Sequence, residues 1–271
     1  MATTLIIRTL GQRPSLLRRA VASALAQRDA NVEVIVVGDG ANAAALLDGF
    51  VDSRLRLLSI PHQGRSAAGN AGLAAASGEL IGFLDDDDEL LPDHVRLLTA
   101  ALAEAPDAVA AYALAERLEV DDTGDEQRVR RRHVESYFPY SKAALWLHNL
   151  MPIQAVLFRV GLFRDHGGFD PALDALEDWD LWLRYAQAGP FKALPQVTSR
   201  YATPASRAAR IARAEAHAPA LQQLRLKHAD LSATMNFPAI QALDDFFRQR
   251  HLVNTLPRFS LRRLWQYLKR A

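Results

Sequence analysis

An apolar stretch, GELIGFL, runs directly into four consecutive aspartates, Asp85, Asp86, Asp87 and Asp88, and then into LLPDHV. The apolar run has strand length, and Pro92 stands in the first turn of the helical pattern that follows. Four adjacent carboxylates repel one another, so such a cluster costs stability without a cation. Strand, acid cluster and helix in that order suit a divalent metal held against a phosphate, which points towards nucleotide-dependent chemistry. The competing reading is a solvated turn with acids at a helix N-terminus, where the macrodipole favours them. Oxygen-only ligands suit Mg2+ or Mn2+. A calcium loop of the EF-hand type is excluded, because counting from Asp85 its glycine would be Leu90 and its closing glutamate Arg96.

The first half alternates strand-like and helix-like segments. TLIIRT, VEVIVVG, RLRLLSI and GELIGFL are short apolar, mostly β-branched or leucine-rich runs. Between them lie a helix opened by Pro14, with Leu17, Val21, Ala24 and Leu25 at helical spacing, then ANAAALLDGFV and SAAGNAGLAAAS; LPDHVRLLTAALAEA follows the last strand. This rhythm predicts an α/β fold, a Rossmann-like, mostly parallel sheet with helices on both faces. Further on, AVAAYALAERLEV and RVRRRHV pair as strands across DDTGDEQ, IQAVLFRV is a strand, and LEDWDLWLRYAQAG is a helix ended by Gly189 and Pro190. On that helix Leu176, Trp179, Leu183 and Ala186 share the apolar face. FKALPQVTSRYAT contains Pro195 and reads as an edge or broken strand. From Ala205 the chain turns Ala- and Arg-rich and reads as helical, giving a domain over residues 1–204 and a helical extension over 205–271.

Composition narrows the function. Lys and Arg (32) nearly balance Asp and Glu (31), so nothing in the charge argues for nucleic acid. The absence of cysteine removes disulfides, thiolate metal sites and a cysteine nucleophile, and is compatible with a reducing cytoplasm. No stretch approaches the roughly 18 apolar residues of a membrane span. The N-terminal MATTLIIRTLGQRP has no leader pattern.

In open α/β sheets ligands bind beyond the carboxyl ends of the parallel strands. The first strand delivers Arg8 and Thr9 there, the second Asp39 between two glycines, the fourth the aspartate run. Asp39 also reads as an ordinary Asp-Gly turn. Glu177 and Asp178 lie in the first turn of their helix, where carboxylates are common. Asp178 reads alternatively as a general base, ionised at neutral pH from a reference pKa near 3.9.

Together these segments resemble the family 2 glycosyltransferases, which have the GT-A fold, from Thr3 to about Tyr201. The carriers are LIIRTLGQRPSLLRRAVASALAQ, VEVIVVGDG, GRSAAGNAGLAAASGELIGFLDDDDELLP for the DxD motif, and GGFDPALDALEDWDLWLRYAQAG for the acceptor-side ED motif. The resemblance implies sugar transfer with inversion from a nucleotide-diphosphate sugar, UDP- or dTDP-linked in preference to GDP-linked. The acceptor would be a hydroxyl of a glycan or lipid-linked glycan, in surface polysaccharide biosynthesis. Thr9 and Asp39 would contact the nucleoside, with Asp39 accepting from the N3–H of a pyrimidine. Asp85 and Asp86 would help hold the ribose or sugar, and Asp87 with Asp85 would ligate Mn2+ or Mg2+. Asp178 would be the base, flanked by Glu177 and Trp179 in the acceptor site. Three departures stand out: Gly38 precedes Asp39 where the family often has two acids, Gly69 precedes Asn70 where it often has Arg-Asn, and YATPASR lacks a histidine. Arg8, and Arg65 for the missing positive charge, complete the donor set; His217, His228 and His251 lie further on and either replace the absent one or are ordinary surface or packing histidines.

In the tail, FSLRRLWQYLKRA places Leu261, Leu264, Trp265 and Leu268 on one face and Arg262, Arg263, Lys269 and Arg270 mostly off it. That face packs on the catalytic domain or a second subunit, making a homo-oligomer, or lies on an anionic membrane surface. The second alternative makes the protein peripheral at the inner face of the membrane. The rival functions are a nucleotide-sugar-binding protein without turnover and a DxD phosphatase. The phosphatase wants Thr or Val where this chain has Glu89, and its motif usually lies nearer the N-terminus.

Overall fold

The computed structural model describes residues 1–249 except 123, 135, 136, 138 and 232–235. The strands are β1 (Thr3–Thr9), β2 (Val32–Asp39), β3 (Leu55–Ile60), β4 (Leu80–Asp85), β5 (Glu89–Leu90), β6 (Ala110–Asp122), β7 (Gln127–Val134), β8 (Val156–Arg159) and β9 (Phe191–Pro204). The helices are α1 (Pro14–Leu25), α2 (Ala43–Leu46), α3 (Arg65–Ala75), α4 (His94–Glu104), α5 (Lys142–Leu147), α6 (Gly161–His166), α7 (Glu177–Tyr185), α8 (Arg207–Lys227) and α9 (Phe237–Gln249). The chain divides into two compact units, Met1–Ala229 and Asp230–Ala271, so α8 belongs to the first. The tail face built on Leu261, Leu264, Trp265 and Leu268 lies outside the described residues, as does His251. No described helix is long and apolar enough to cross a membrane.

One sheet runs in the order β3-β2-β1-β4-β8-β6-β9-β5, with β7 paired to β6. Strands β3, β2, β1 and β4 are mutually parallel, so their carboxyl ends share one edge. β8 then runs antiparallel between β4 and β6, and β9 lies parallel to β6. Every residue of β1 is buried, because helices cover both faces of the sheet. Leu5, Ile7, Val34 and Val36 form one core with Leu17 and Val21 of α1 and Leu98 and Leu102 of α4. On the opposite face Ile6 meets α3, where Gly72 lets strand and helix close together.

Three expectations need correction. The helix expected across ANAAALLDGFV is only the turn Ala43–Leu46, capped by the Asn42 side chain. Pro195 does not break β9; around it β9 is paired with β6 alone, since β5 reaches only Ser199 and Arg200, so of the two alternatives the edge strand holds and the broken strand does not. The β6 register skips from Leu194 to Val197 and from Val197 to Ser199, so the proline sits in a bulge where no ladder hydrogen bond is demanded of it. Leu176 stands outside α7, in a left-handed conformation with φ 59° that is uncommon for a branched residue. The short helices α5 and α6 carry too few residues to show a helical period.

β7 is exposed along nearly its whole length and paired on one side only. Its charges blunt that edge: Arg130 pairs with Asp121 and Arg132 with Glu116 of β6. The hairpin also reaches back to α1. Arg13, the residue before α1, gives that helix no side-chain cap, and Asp125 at the hairpin tip accepts from Ser15 N (2.7 Å) and Leu16 N (3.2 Å) instead.

A Cβ on Gly72 would lie 2.3 Å from Ile6 Cγ2, whereas one on Gly161 would meet nothing within 4 Å. Gly72→Ala should therefore lower unfolding free energy in urea by about 1–3 kcal/mol. Gly161→Ala should stay within about 0.5 kcal/mol of wild type.

Candidate active site

Register carries the polar residues to one edge. Arg8 stands opposite Asp85 across β1 and β4, and Thr9 opposite Gly38 across β1 and β2. Thr9 donates its hydroxyl to Asp86 Oδ2 at 2.6 Å. Asp39 is buried at the end of β2 and accepts from the backbone N–H of Gln63 (2.7 Å) and Gly64 (2.9 Å), with His62 Nδ1 at 3.0 Å. It therefore fixes the loop that leads into α3. Gly64 precedes that helix at φ 91°, a conformation glycine adopts without penalty.

The guanidinium of Arg8 is buried and committed to two carboxylates. Its Nη2 lies 2.6 Å from Asp85 Oδ1, and its Nη1 lies 3.0 Å from Glu177 Oε1. The rings of Phe83 and Phe169 stand 5.8 and 5.4 Å from its centre. Burial by itself would favour the neutral form of Arg8, but Asp85 and Glu177 raise its pKa. Burial likewise opposes ionisation of Asp85, and Arg8 and Arg65 overcome it, holding its pKa below the usual value. Arg65, at the start of α3, lies 3.5 Å from Glu177. Glu177, expected beside the acceptor, is thus buried between two arginines.

The other aspartates differ from Asp85. Burial pushes Asp86 up to about 6, against the pull of Thr9 and Arg13. Asp88 is raised well above the ordinary range by burial and by Asp87 and Asp85, and it accepts from Ala202 N of β9 at 3.2 Å. Asp87 is partly exposed and paired with Arg13 at 2.5 Å. Among the described residues no three His, Asp, Glu or Cys side chains form a metal site by themselves. The donor set fits a different arrangement. Mg2+ or Mn2+ is commonly held by one or two carboxylates, with water and substrate phosphates completing the shell, and both Asp85 and Asp87 reach the surface.

Asp178 stands in the first turn of α7 next to Glu177. Asn149 Nδ2 donates to its Oδ2 at 2.8 Å, and Trp179 N donates to its Oδ1 at 2.8 Å. Burial, then the charge of Glu177, raises its pKa to about 6, with Asn149 opposing. The reference value near 3.9 therefore does not apply here. A carboxylate poised near 6 is a stronger base than an exposed one yet is mostly ionised at neutral pH. Trp179, expected in the acceptor site, is buried and donates its indole N–H to Leu145 O of α5 at 2.6 Å.

Two histidines can be placed. His228 Nε2 lies 2.8 Å from Asp180 Oδ1 and helps tie α8 to α7. His217 lies on α8 within electrostatic reach of Arg213, Arg65 and Glu177, and its pKa is lowered, first by burial. The small residue at position 69 has a steric basis. A Cβ there would lie 2.4 Å from the Phe169 ring, and Asn70 clamps Phe169 through its N–H (2.7 Å) and carbonyl (2.9 Å). Arg13 and Asn149 were not singled out from sequence. The signal for Arg13 was a cation just before a helix-opening proline on the ligand edge; KAALWLHNLMP offered no period to place Asn149.

The model of the family described as "Glycosyl transferase family 2" matches residues 4–167 and ends before α7. The succinoglycan biosynthesis protein ExoO of Rhizobium meliloti (strain 1021) is 41% identical over 105 residues, 38% of this chain and 29% of that protein. The chondroitin synthase of Pasteurella multocida (strain Pm70) is 26% identical over 187 residues, 67% of this chain and 18% of that one. The chain therefore spans less than a third of either relative's length. The crystal structure of S. aureus TarS 1-349 in complex with UDP-GlcNAc superposes with a TM-score of 0.66 at 15% identity, over 86% of this chain and 68% of that one. At that identity the likeness shows a shared GT-A fold.

Asn149→Leu keeps the burial of Asp178 but deletes its side-chain donor. The Asp178 pKa, followed by 13C NMR of its carboxyl carbon, should rise above its value of about 6. An unchanged or lower value would mean that Asn149 does not hold the carboxylate.

Proposed function

This chain belongs to glycosyl transferase family 2, and we propose that it transfers a sugar, with inversion, from a UDP- or dTDP-linked donor to a glycan hydroxyl. The observation that carries this reading is the continuous path from the aspartate run to the candidate base. Asp85 shares Arg8 with Glu177, and Glu177 is bonded in sequence to Asp178. That adjacency supports reading the donor-side and acceptor-side carboxylates as parts of one site.

The donor end is assigned by chemistry. Thr9 and Asp39 lie at the carboxyl ends of adjacent strands, where a nucleoside binds in folds of this kind. Asp39 spends acceptor capacity on Gln63 and Gly64, and a carboxylate retains lone pairs for a pyrimidine N3–H. Asp86, held by Thr9, and Asp85 face the ribose or sugar. Asp87, with Asp85, would hold Mn2+ or Mg2+, which offsets charge on the departing diphosphate when bound. The complex of TarS with UDP-GlcNAc supports a uridine nucleotide as the donor class.

Asp178 acts at the acceptor end. Its two oxygens are oriented by Asn149 and by the Trp179 amide. One takes the proton of the acceptor hydroxyl as that oxygen attacks the anomeric carbon from the face opposite the leaving group. The anomeric C–O bond to diphosphate breaks in the same step, which inverts the configuration. Relatives that make succinoglycan and chondroitin support a polysaccharide or lipid-linked glycan as acceptor.

Calorimetry of UDP, dTDP, GDP and CDP with Mn2+, followed by transfer assays with the matching sugars, tests the reading. Asp178→Asn should keep nucleotide affinity and cut turnover by about 10²–10⁴-fold. Wild-type kcat/KM should fall as pH drops through about 6, because protonated Asp178 cannot accept the proton. Near-normal turnover of Asp178→Asn would remove Asp178 as the base. Nucleotide affinity without any release of nucleoside diphosphate would make the protein a binder only.

A further inference from the structure

The aspartate run already has a cation of its own. Arg13 Nη1 lies 2.5 Å from Asp87 Oδ2, and its Nη2 lies 2.7 Å from Asp86 Oδ1. One planar guanidinium thus forks across two neighbouring carboxylates, a geometry that an ammonium cannot copy. The backbone around it is well anchored. Pro14 opens α1 immediately after Arg13, and Asp125 holds the amides of Ser15 and Leu16. Arg19 Nη2 of the same helix donates to the Asp87 carbonyl at 2.7 Å, which fixes the turn from the other side. The side chain of Arg13 is 30% exposed, so it has room to leave without unpacking the core.

We propose that Arg13 is a tethered counter-cation that competes with a divalent metal for Asp87. The inference rests on the metal reading above. A metal at Asp87 would share that carboxylate with Arg13, and its positive charge repels a guanidinium at contact distance. Arg13 therefore gives up Asp87 when the metal binds. An anionic diphosphate arriving with the metal offers the freed guanidinium a new partner, so metal and nucleotide favour each other's binding. Arg13 also lowers the charge repulsion within the run when neither is bound.

Mn2+ is titrated calorimetrically into the full chain as wild type, Arg13→Gln and Arg13→Lys, first without nucleotide and then with saturating UDP. Circular dichroism checks that each variant is folded. Arg13→Gln should bind Mn2+ alone at least about fivefold more tightly than wild type, and UDP should improve its Mn2+ affinity less. Arg13→Lys, which keeps the charge but cannot fork across both carboxylates, should fall between wild type and Arg13→Gln. Equal or weaker Mn2+ binding by Arg13→Gln, with wild type binding normally, would overturn the proposal and leave the metal assignment standing. Arg13→Lys binding as tightly as Arg13→Gln would also overturn it. Failure of all three proteins to bind Mn2+ would overturn the proposal and the metal assignment together.

Discussion

The site depends on where one guanidinium goes. Arg8 is placed by β1, whose neighbours on both sides are parallel strands, and its buried guanidinium lies between Asp85 and Glu177. Removing an arginine from water is costly, so it persists there only with both carboxylates and two aromatic faces around it. The aromatic support sets further constraints. Phe169 occupies the space that a side chain on residue 69 would need, and Asn70 grips the Phe169 backbone. Gly69, Asn70, Phe169, Arg8, Asp85 and Glu177 form one packed unit, with Asp178 next along α7.

A second buried charge organises the far side of α7. Asp180 is fully buried yet held ionised: burial opposes its charge, and Lys227, Arg184 and His228 lower its pKa. Two of those partners come from the end of α8, and Lys227 also reaches Asp170 at 2.6 Å. The Ala- and Arg-rich helix is therefore tied to α7 by specific charges, with Ala220 and Leu224 as its buried contacts. This brings His217 near Arg65 and Glu177 without any histidine in the strand before it.

Much of this was legible in the sequence because it follows from period and strand ends. The four parallel strands, the α1 and α4 faces, the hairpin of β6 and β7, and the ligand edge carrying Thr9, Asp39 and the aspartates all follow from apolar runs and their polar termini. What was not legible depends on contacts between distant segments. Asp125 capping α1, Asn149 holding Asp178, and Arg13 bridging Asp86 and Asp87 each join residues far apart in the chain. Pro195 marked a stretch of β9 with one neighbour, as an edge proline should, but not that a bulge lets the strand continue past it, because a bulge leaves no local pattern. Trp179 and Glu177 fell on the expected helix, but their side chains turned to α5 and to the arginines. Spacing along one helix does not specify which neighbour fills the space beside it.

The most direct test of the Arg8 bridge is a double-mutant cycle between Asp85→Asn and Glu177→Gln, read as unfolding free energy in urea. If a single buried guanidinium serves both carboxylates, the two losses are not independent, and the coupling should be about 0.5–3 kcal/mol. Additivity within about 0.3–0.5 kcal/mol would contradict the account. It would mean that Asp85 and Glu177 do not share Arg8 in solution.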